Sequence, residues 1–222
     1  MKTALGILLA GGKGTRFGLE KQNLLLQDKP LWVHSLLKFQ QAGFFTQIYI
    51  VIPPGQQSSY EELALKHQTG PINLIPGGSE RHHSVRNALT AAKEFLLPGN
   101  HVFIHDTARP LFRMETLFLL RDALDSYPAA TLGYPVTDAL KRADEKGIIQ
   151  GEIERTHAWA VTTPQAFHAD TLYTLFQEAP DFAYDETYLF TRQNLPVKII
   201  AAGRYNLKVT YPEDFQAAQK LF

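Results

Sequence analysis

Residues 5–18 read LGILLAGGKGTRFG, an apolar run that breaks into a glycine-rich loop. Leu5 to Leu9 is short, continuous and hydrophobic, which suits a strand covered on both faces. The loop that follows is Ala10, Gly11, Gly12, Lys13, Gly14, Thr15, Arg16, Phe17, Gly18. Its glycines leave successive backbone N–H groups open to an anion. Lys13, Arg16 and Lys21 add positive charge that a plain turn does not need. This composition points to a phosphate cradle, but not to either of the two common ones. The pattern G-x-x-x-x-G-K-[ST] is absent. Gly12 and Gly14 fit the start of G-x-G-x-x-G, but Phe17 takes its third glycine position. Pro53-Pro54 stands near the end of the next strand, where a dinucleotide binder carries an acid. A dinucleotide-dependent dehydrogenase is therefore disfavoured.

Working outward, strands and helices alternate. Pro30 to Ala42 reads as a helix with an apolar stripe from Leu31 to Phe39, ended by Gly43. Strands are predicted at 47–52, 72–75, 101–105, 129–136 and 197–201, with another starting at Trp159 and a short one at 207–209. Helices are predicted at 59–67, 113–125, 169–178, 185–193 and 212–222. Another runs from Gly77-Gly78-Ser79 to about Leu97, with Ser79 as its N-cap. Lys141 to Glu154 is polar and weakly patterned, with a turn at Lys146-Gly147, and reads as a hairpin arm. The pattern predicts one α/β domain over 1–222, a three-layer sandwich with a mostly parallel sheet. Ligands of such sheets sit beyond the carboxyl ends of the strands.

Composition narrows the function. The chain has 222 residues, with 22 Lys+Arg against 22 Asp+Glu, and so no formal net charge. A neutral chain lacks the basic excess of a general nucleic-acid binder. With 45% hydrophobic residues it is expected to fold rather than remain disordered. It has no cysteine, which excludes disulfides, thiolate metal sites and a cysteine nucleophile. No apolar run approaches the ~20 residues that span a bilayer. The start passes into glycines without a cleavage pattern, so a cytoplasmic protein is expected.

Two further loops carry candidate chemistry. In Gly77-Gly78-Ser79-Glu80-Arg81-His82-His83-Ser84 two glycines precede a helix start, whose free N–H groups suit an anion or a base edge. A simple helix cap is the alternative. His82 and His83 are expected to face solvent. His105-Asp106-Thr107-Ala108-Arg109-Pro110 follows an apolar strand. Asp106 there can hold a hydrated Mg²⁺, and Arg109 an anionic substrate. The alternative is an Asp106–Arg109 ion pair that braces the loop.

The segments LAGGKGTRFG (9–18), GGSERHHSVRNAL (77–89), HDTARP (105–110), PVTDALKR (135–142), TTPQAF (162–167), DET (185–187) and NLKVTYPEDF (206–215) are ordered along the chain. The set resembles the 2-C-methyl-D-erythritol 4-phosphate cytidylyltransferases. The related ribitol 5-phosphate cytidylyltransferases have a similar opening loop. The resemblance implies a Rossmann-like nucleotidyltransferase that joins CTP and a polyol phosphate, releasing pyrophosphate, in non-mevalonate isoprenoid biosynthesis, with Mg²⁺. It also implies roles. Arg16, Lys21 and Lys208 would be catalytic. Ala10, Gly11, Gly12, Gly14, Thr15, Gly77, Gly78, Arg81 and Ser84 would hold the nucleotide. Asp106, Arg109, Arg155 and Thr163 would hold the polyol phosphate, and Asp106 the metal. It further implies a homodimer joined through an arm at 139–157, with Arg155 serving the partner's site. The sequence departs from the family pattern at Glu20, Ala139, Ser79 and Tyr205. These departures motivate a rival reading, a catalytically silent nucleotide-binding homologue.

Overall fold

In the computed structural model, which describes residues 3–11, 23–178 and 185–222, the opening apolar run is the middle of the protein. Strand β1 (Ala4–Leu9) is buried along its whole length. The chain continues through a two-residue ribbon, β2 (Leu25–Leu26) and β3 (Lys29–Pro30), into α1 (Leu31–Gln41). Next come β4 (Phe45–Ile52), α2 (Gln57–Lys66), β5 (Asn73–Pro76), α3 (Arg81–Ala91), β6 (His101–Asp106) and α4 (Glu115–Ala123). After β7 (Ala129–Pro135) the arm β8 (Leu140–Ala143) and β9 (Ile149–Ile153) intervenes before β10 (Trp159–His168). The chain closes with α5 (Ala169–Glu178), α6 (Thr187–Arg192), β11 (Val197–Ala201) and α7 (Pro212–Leu221).

The main sheet has seven strands in the order β11-β7-β10-β6-β1-β4-β5. Alternation along β1 assigns its residues to two cores. Ala4 and Leu8 face one layer with Trp32, Val33, Leu36 and Phe39 of α1 and Leu117 and Leu120 of α4. Leu5, Ile7 and Leu9 face the other, with Val85, Ala88 and Leu89 of α3 and Leu172 and Phe176 of α5. Gly6 is on the α1 side because a Cβ there would lie 2.9 Å from Phe39 Cδ1. These are the three expected layers.

Most pairings are parallel, but β10 runs antiparallel to both β6 and β7. Three local expectations need correction. The helix after the second glycine loop stops at Ala91, followed by a 3-10 turn at Lys93–Phe95. Its flanking residue is Glu80 rather than Ser79, and no side chain caps it. The predicted strand at 207–209 is irregular, and its Val209 N–H reaches Ala108 O (2.8 Å).

The arm is the expected hairpin. Gly147 at φ +79° makes its turn, where an L side chain is disfavoured. Asp144 Oδ1 accepts from the N–H groups of Lys146 and Ile148 at 3.0 and 2.9 Å. Among the described residues no helix is long and apolar enough to cross a membrane.

Candidate active site

Strand order reverses beside β1: the chain passes from β1 to β4 on one side, then returns to place β6 on the other. A crevice at such a reversal is where open α/β sheets hold ligands. Leu9 pairs with Asp106, so the glycine-rich loop and the acidic loop leave the sheet side by side. Thr107 fixes that exit, giving both its N–H (3.1 Å) and its hydroxyl (3.0 Å) to Leu9 O. The second glycine loop arrives at the same edge, where Gly77 N–H meets Ile52 O at 2.8 Å. Ala10 is likewise tied to Val51 O at 2.7 Å. Gly12, Gly14, Thr15, Arg16 and Lys21 lie outside the described residues.

Asp106 is the hub. Its carboxylate is almost buried and takes Lys208 Nζ on Oδ2 at 2.7 Å and Arg81 Nε on Oδ1 at 3.2 Å. Burial by itself would raise its pKa, but Arg81, Lys208 and the more distant Arg109 hold it well below the usual carboxylate range. Arg81 is shared, because its Nη1 donates to Glu186 Oε1 at 2.6 Å. Burial works against the Arg81 charge, yet Glu186 and Asp106 together raise its pKa above the ordinary guanidinium value. Arg109 does not brace Asp106 directly. Its Nη1 donates to Asn206 O at 2.8 Å.

The ground beneath this hub is a chain of buried polar contacts. Thr163 Oγ1 accepts from Asp106 N–H at 3.0 Å and lies 3.1 Å from His105 Nδ1. Ser35 Oγ lies 3.2 Å from His105 Nε2. Burial pushes the imidazole of His105 down to about 3, so the ring is neutral and can donate from one nitrogen only. Asn206 Nδ2 donates to Thr162 Oγ1 (3.1 Å) and Thr163 O (2.8 Å), which holds the 206–208 segment against β10. Lys38 of α1 ties the far end of the acidic loop by donating to Pro110 O (2.7 Å) and Phe112 O (2.8 Å).

The glycines at 77 and 78 are required by close approach. A Cβ on Gly78 would lie 2.3 Å from His83 Cβ, and one on Gly77 would lie 3.1 Å from Ser84 Oγ. Ser84 spends its hydroxyl on the loop, accepting from Gly78 N–H (3.0 Å) and donating to Glu80 O (3.2 Å). Ser79 bonds His83 Nδ1 at 2.8 Å. His82 and His83 are half-buried rather than solvent-facing, with ring centroids 4.1 Å apart.

Of the expected site residues, Ala10, Gly11, Gly77, Gly78, Arg81, Ser84, Asp106, Arg109, Thr163 and Lys208 therefore gather at one edge of the sheet. Arg155 does not: it is exposed at the base of the arm. Tyr205 is exposed, with the Arg113 guanidinium 5.9 Å from its ring centroid. Glu186, Asn206, His105 and Lys38 are supports that the sequence reading missed. Glu186 had a weak signal in its place within DET. Its partner lies 105 positions away, which spacing cannot reveal.

Comparison with known proteins gives a consistent result. Residues 5–222 match the family model described as 2-C-methyl-D-erythritol 4-phosphate cytidylyltransferase. A relative of that name from Cereibacter sphaeroides is 37% identical over 224 residues, covering 99% of this chain and 96% of its own length. One from Desulforamulus reducens is 34% identical over 229 residues, covering 99% and 95%. The crystal structure of the Francisella tularensis enzyme of that name superposes with a TM-score of 0.84 at 23% identity, covering 100% of both chains. At that identity the likeness speaks for the fold.

Proposed function

The chain belongs to the 2-C-methyl-D-erythritol 4-phosphate cytidylyltransferase family, and from that premise we propose how its site performs the transfer. The enzyme is a nucleotidyltransferase that joins CTP to 2-C-methyl-D-erythritol 4-phosphate in isoprenoid biosynthesis. An oxygen of the substrate's phosphate attacks the α-phosphorus of CTP, the bond to the bridging oxygen breaks, and pyrophosphate leaves. The attacking oxygen is already anionic at neutral pH and needs no general base. The barrier lies in bringing two polyanions together in line, so charge neutralisation and positioning carry the catalysis.

The observation that carries this reading is the convergence of Arg81, Lys208 and Arg109 around Asp106, beside the exit of the glycine-rich loop. Lys208 is a cation that a ligand can reach: its side chain is 38% exposed, against 12% for its partner Asp106. We assign Lys208 to the α-phosphate, with Arg16 and Lys21 on the triphosphate. Gly77, Gly78 and Ser84 shape the cytidine side, and Arg109 with Thr163 the polyol phosphate side. The 10–18 loop contributes backbone N–H groups.

Asp106 fits a magnesium ion of the one-carboxylate kind. It is held ionised, and each of its oxygens is engaged by one cation, which leaves lone pairs for a second partner. Among the described residues no group of three or more His, Asp or Glu gathers. Phosphate oxygens and water would supply the remaining ligands, as is usual for this ion. The ion would neutralise charge on the triphosphate.

The arm supports a homodimer. Ile148 and Ile149 are each 60% exposed and Ile153 is 41% exposed, apolar surface that a second copy would cover. Arg155 would then face the partner's site. A metabolic reaction on phosphorylated small molecules suits the cytoplasm.

The direct test is pyrophosphate release from CTP and 2-C-methyl-D-erythritol 4-phosphate with Mg²⁺, run beside ribitol 5-phosphate and the other nucleoside triphosphates. Turnover is expected with the first pair. No release from it would end this reading, and CTP binding without any turnover would favour a silent homologue.

A further inference from the structure

We propose that Glu186 is a positioning residue for the transfer: buried beneath the site, it holds Arg81 and through Arg81 fixes the carboxylate of Asp106. The proposal rests on the transfer reading above. Glu186 has no exposed surface and cannot touch a substrate. Its Oε1 takes one edge of the Arg81 guanidinium at 2.6 Å, while Arg81 Nε reaches Asp106 Oδ1 at 3.2 Å. A guanidinium is a rigid planar fork, so pinning it at two points fixes its plane. Lys208 completes the set on Asp106 Oδ2 at 2.7 Å. Within these direct contacts two cationic side chains face two carboxylates, and Arg109 lies outside them.

Stability is a poor reason for a carboxylate at this place. Leu189 and Phe190, three and four positions on, belong to the apolar core. Replacing a buried ion pair by apolar side chains is often neutral or stabilising. Among the described residues, Glu186 Oε2 and Arg81 Nη2 are buried without a hydrogen-bond partner. What the arrangement provides is resistance to capture. The Arg81 side chain is 32% exposed, and a triphosphate arriving beside it competes for its guanidinium. Glu186 anchors Arg81 from below, so Asp106 keeps its orientation when the polyanion binds.

This gives a signature that a merely structural role lacks. Glu186→Gln keeps the shape and an acceptor for Arg81 but leaves the cluster with a net positive charge. The KM for CTP is expected to hold or fall, while kcat drops on the order of ten- to a hundredfold, the effect of a misplacement of about 1 Å. Combining Glu186→Gln with Arg81→Lys should give no more than about a twofold further loss over Arg81→Lys alone, because both act through one contact. Glu186→Asp keeps the charge one methylene short and should show the same kcat loss, smaller, which carries the test if the Gln variant does not fold.

A second readout is independent of turnover. The Nη proton signals of Arg81, identified by their loss in Arg81→Lys, should be resolved in the parent and merge in Glu186→Gln, where the guanidinium rotates. Unchanged kcat in a folded Glu186→Gln variant, a raised KM with kcat intact, multiplying losses in the double variant, or unchanged Arg81 signals would each overturn the proposal. A parent that turns over beside an unimpaired Gln variant removes only the role of Glu186. A parent that releases no pyrophosphate removes the transfer reading and this proposal with it.

Discussion

A methyl group added at Gly78 would lie 2.3 Å from His83 Cβ and 3.0 Å from the His83 carbonyl carbon. Carbon atoms pack at about 3.5–4.0 Å, so the loop and the first turn of α3 must part by more than about 1 Å. Neither obstacle is the free end of a side chain, and the movement falls on backbone. Overpacking of this kind costs about 1–3 kcal/mol. For a chain of this size each kcal/mol lowers the melting temperature by roughly 2–4 °C. The same movement draws Gly78 N–H away from Ser84 Oγ, now 3.0 Å apart, and shifts Arg81, the first residue of α3. Displacing a site by about 1 Å can lower turnover on the order of a hundredfold. Calorimetric melting and pyrophosphate release should be measured for Gly78→Ala beside Gly151→Ala, where nothing lies within 4 Å of the added carbon. The first variant is expected to melt several degrees lower and lose roughly ten- to a hundredfold in kcat/KM. The second should stay within ~0.5 kcal/mol of the parent, as surface changes do. A Gly78→Ala enzyme that melts and turns over like the parent would refute the close packing of this loop on α3.

Four other outcomes are expected. Thr163→Val strips the acceptor from the buried Asp106 N–H, and urea unfolding should show a loss of about 1–3 kcal/mol that Thr163→Ser largely restores. Lys208→Ala should lower turnover sharply and lose some stability yet stay folded, because Arg81 still faces the nearly buried Asp106 carboxylate; unfolding at ambient temperature would contradict this. Burial draws the Lys38 amine down from 10.5 to about 8. Between those values the unfolded chain holds a proton that the folded chain lacks, so stability rises with pH there, by about 1 kcal/mol after solvent screening. Parallel stability–pH slopes for the parent and Lys38→Met would exclude that linkage. Mixing inactive Arg155→Ala and Lys208→Ala chains should restore about a quarter of parental turnover if each site of a two-fold dimer borrows Arg155 from its neighbour; no recovery on mixing would argue against sharing.

Continuous apolar runs made the central strands legible, because a strand between two helical layers has no polar face to interrupt it. The direction of β10 was not legible. WAVTTPQAFH reads the same whether it runs with or against its neighbours, and its reversal follows from the arm delivering the chain back at the same end of the sheet where β7 left it. Leu207 and Val209 alternate like a strand, but no ladder forms there among the described residues, and the Asn206 side chain ties the segment to β10. Ser79 looked like a cap because serine is a good one. The helix begins two residues later, and the Ser79 hydroxyl is drawn to His83. Within the site, Asp106 was readable from its position at a strand end. Glu186 was not, since an acid at the start of a short helix looks solvated until a distant arginine is found on it.

The arm departs from and returns to the sheet at almost the same point, where Val136 N–H meets Ala158 O at 3.0 Å. The twenty-odd positions between them are thus an appendix to the sheet rather than a link in its ladder. Evolution can lengthen, trim or redecorate that appendix without disturbing the order of the seven strands. The order of the sheet is thus insulated from changes in the arm, whereas a site that borrows Arg155 from a neighbouring copy is not.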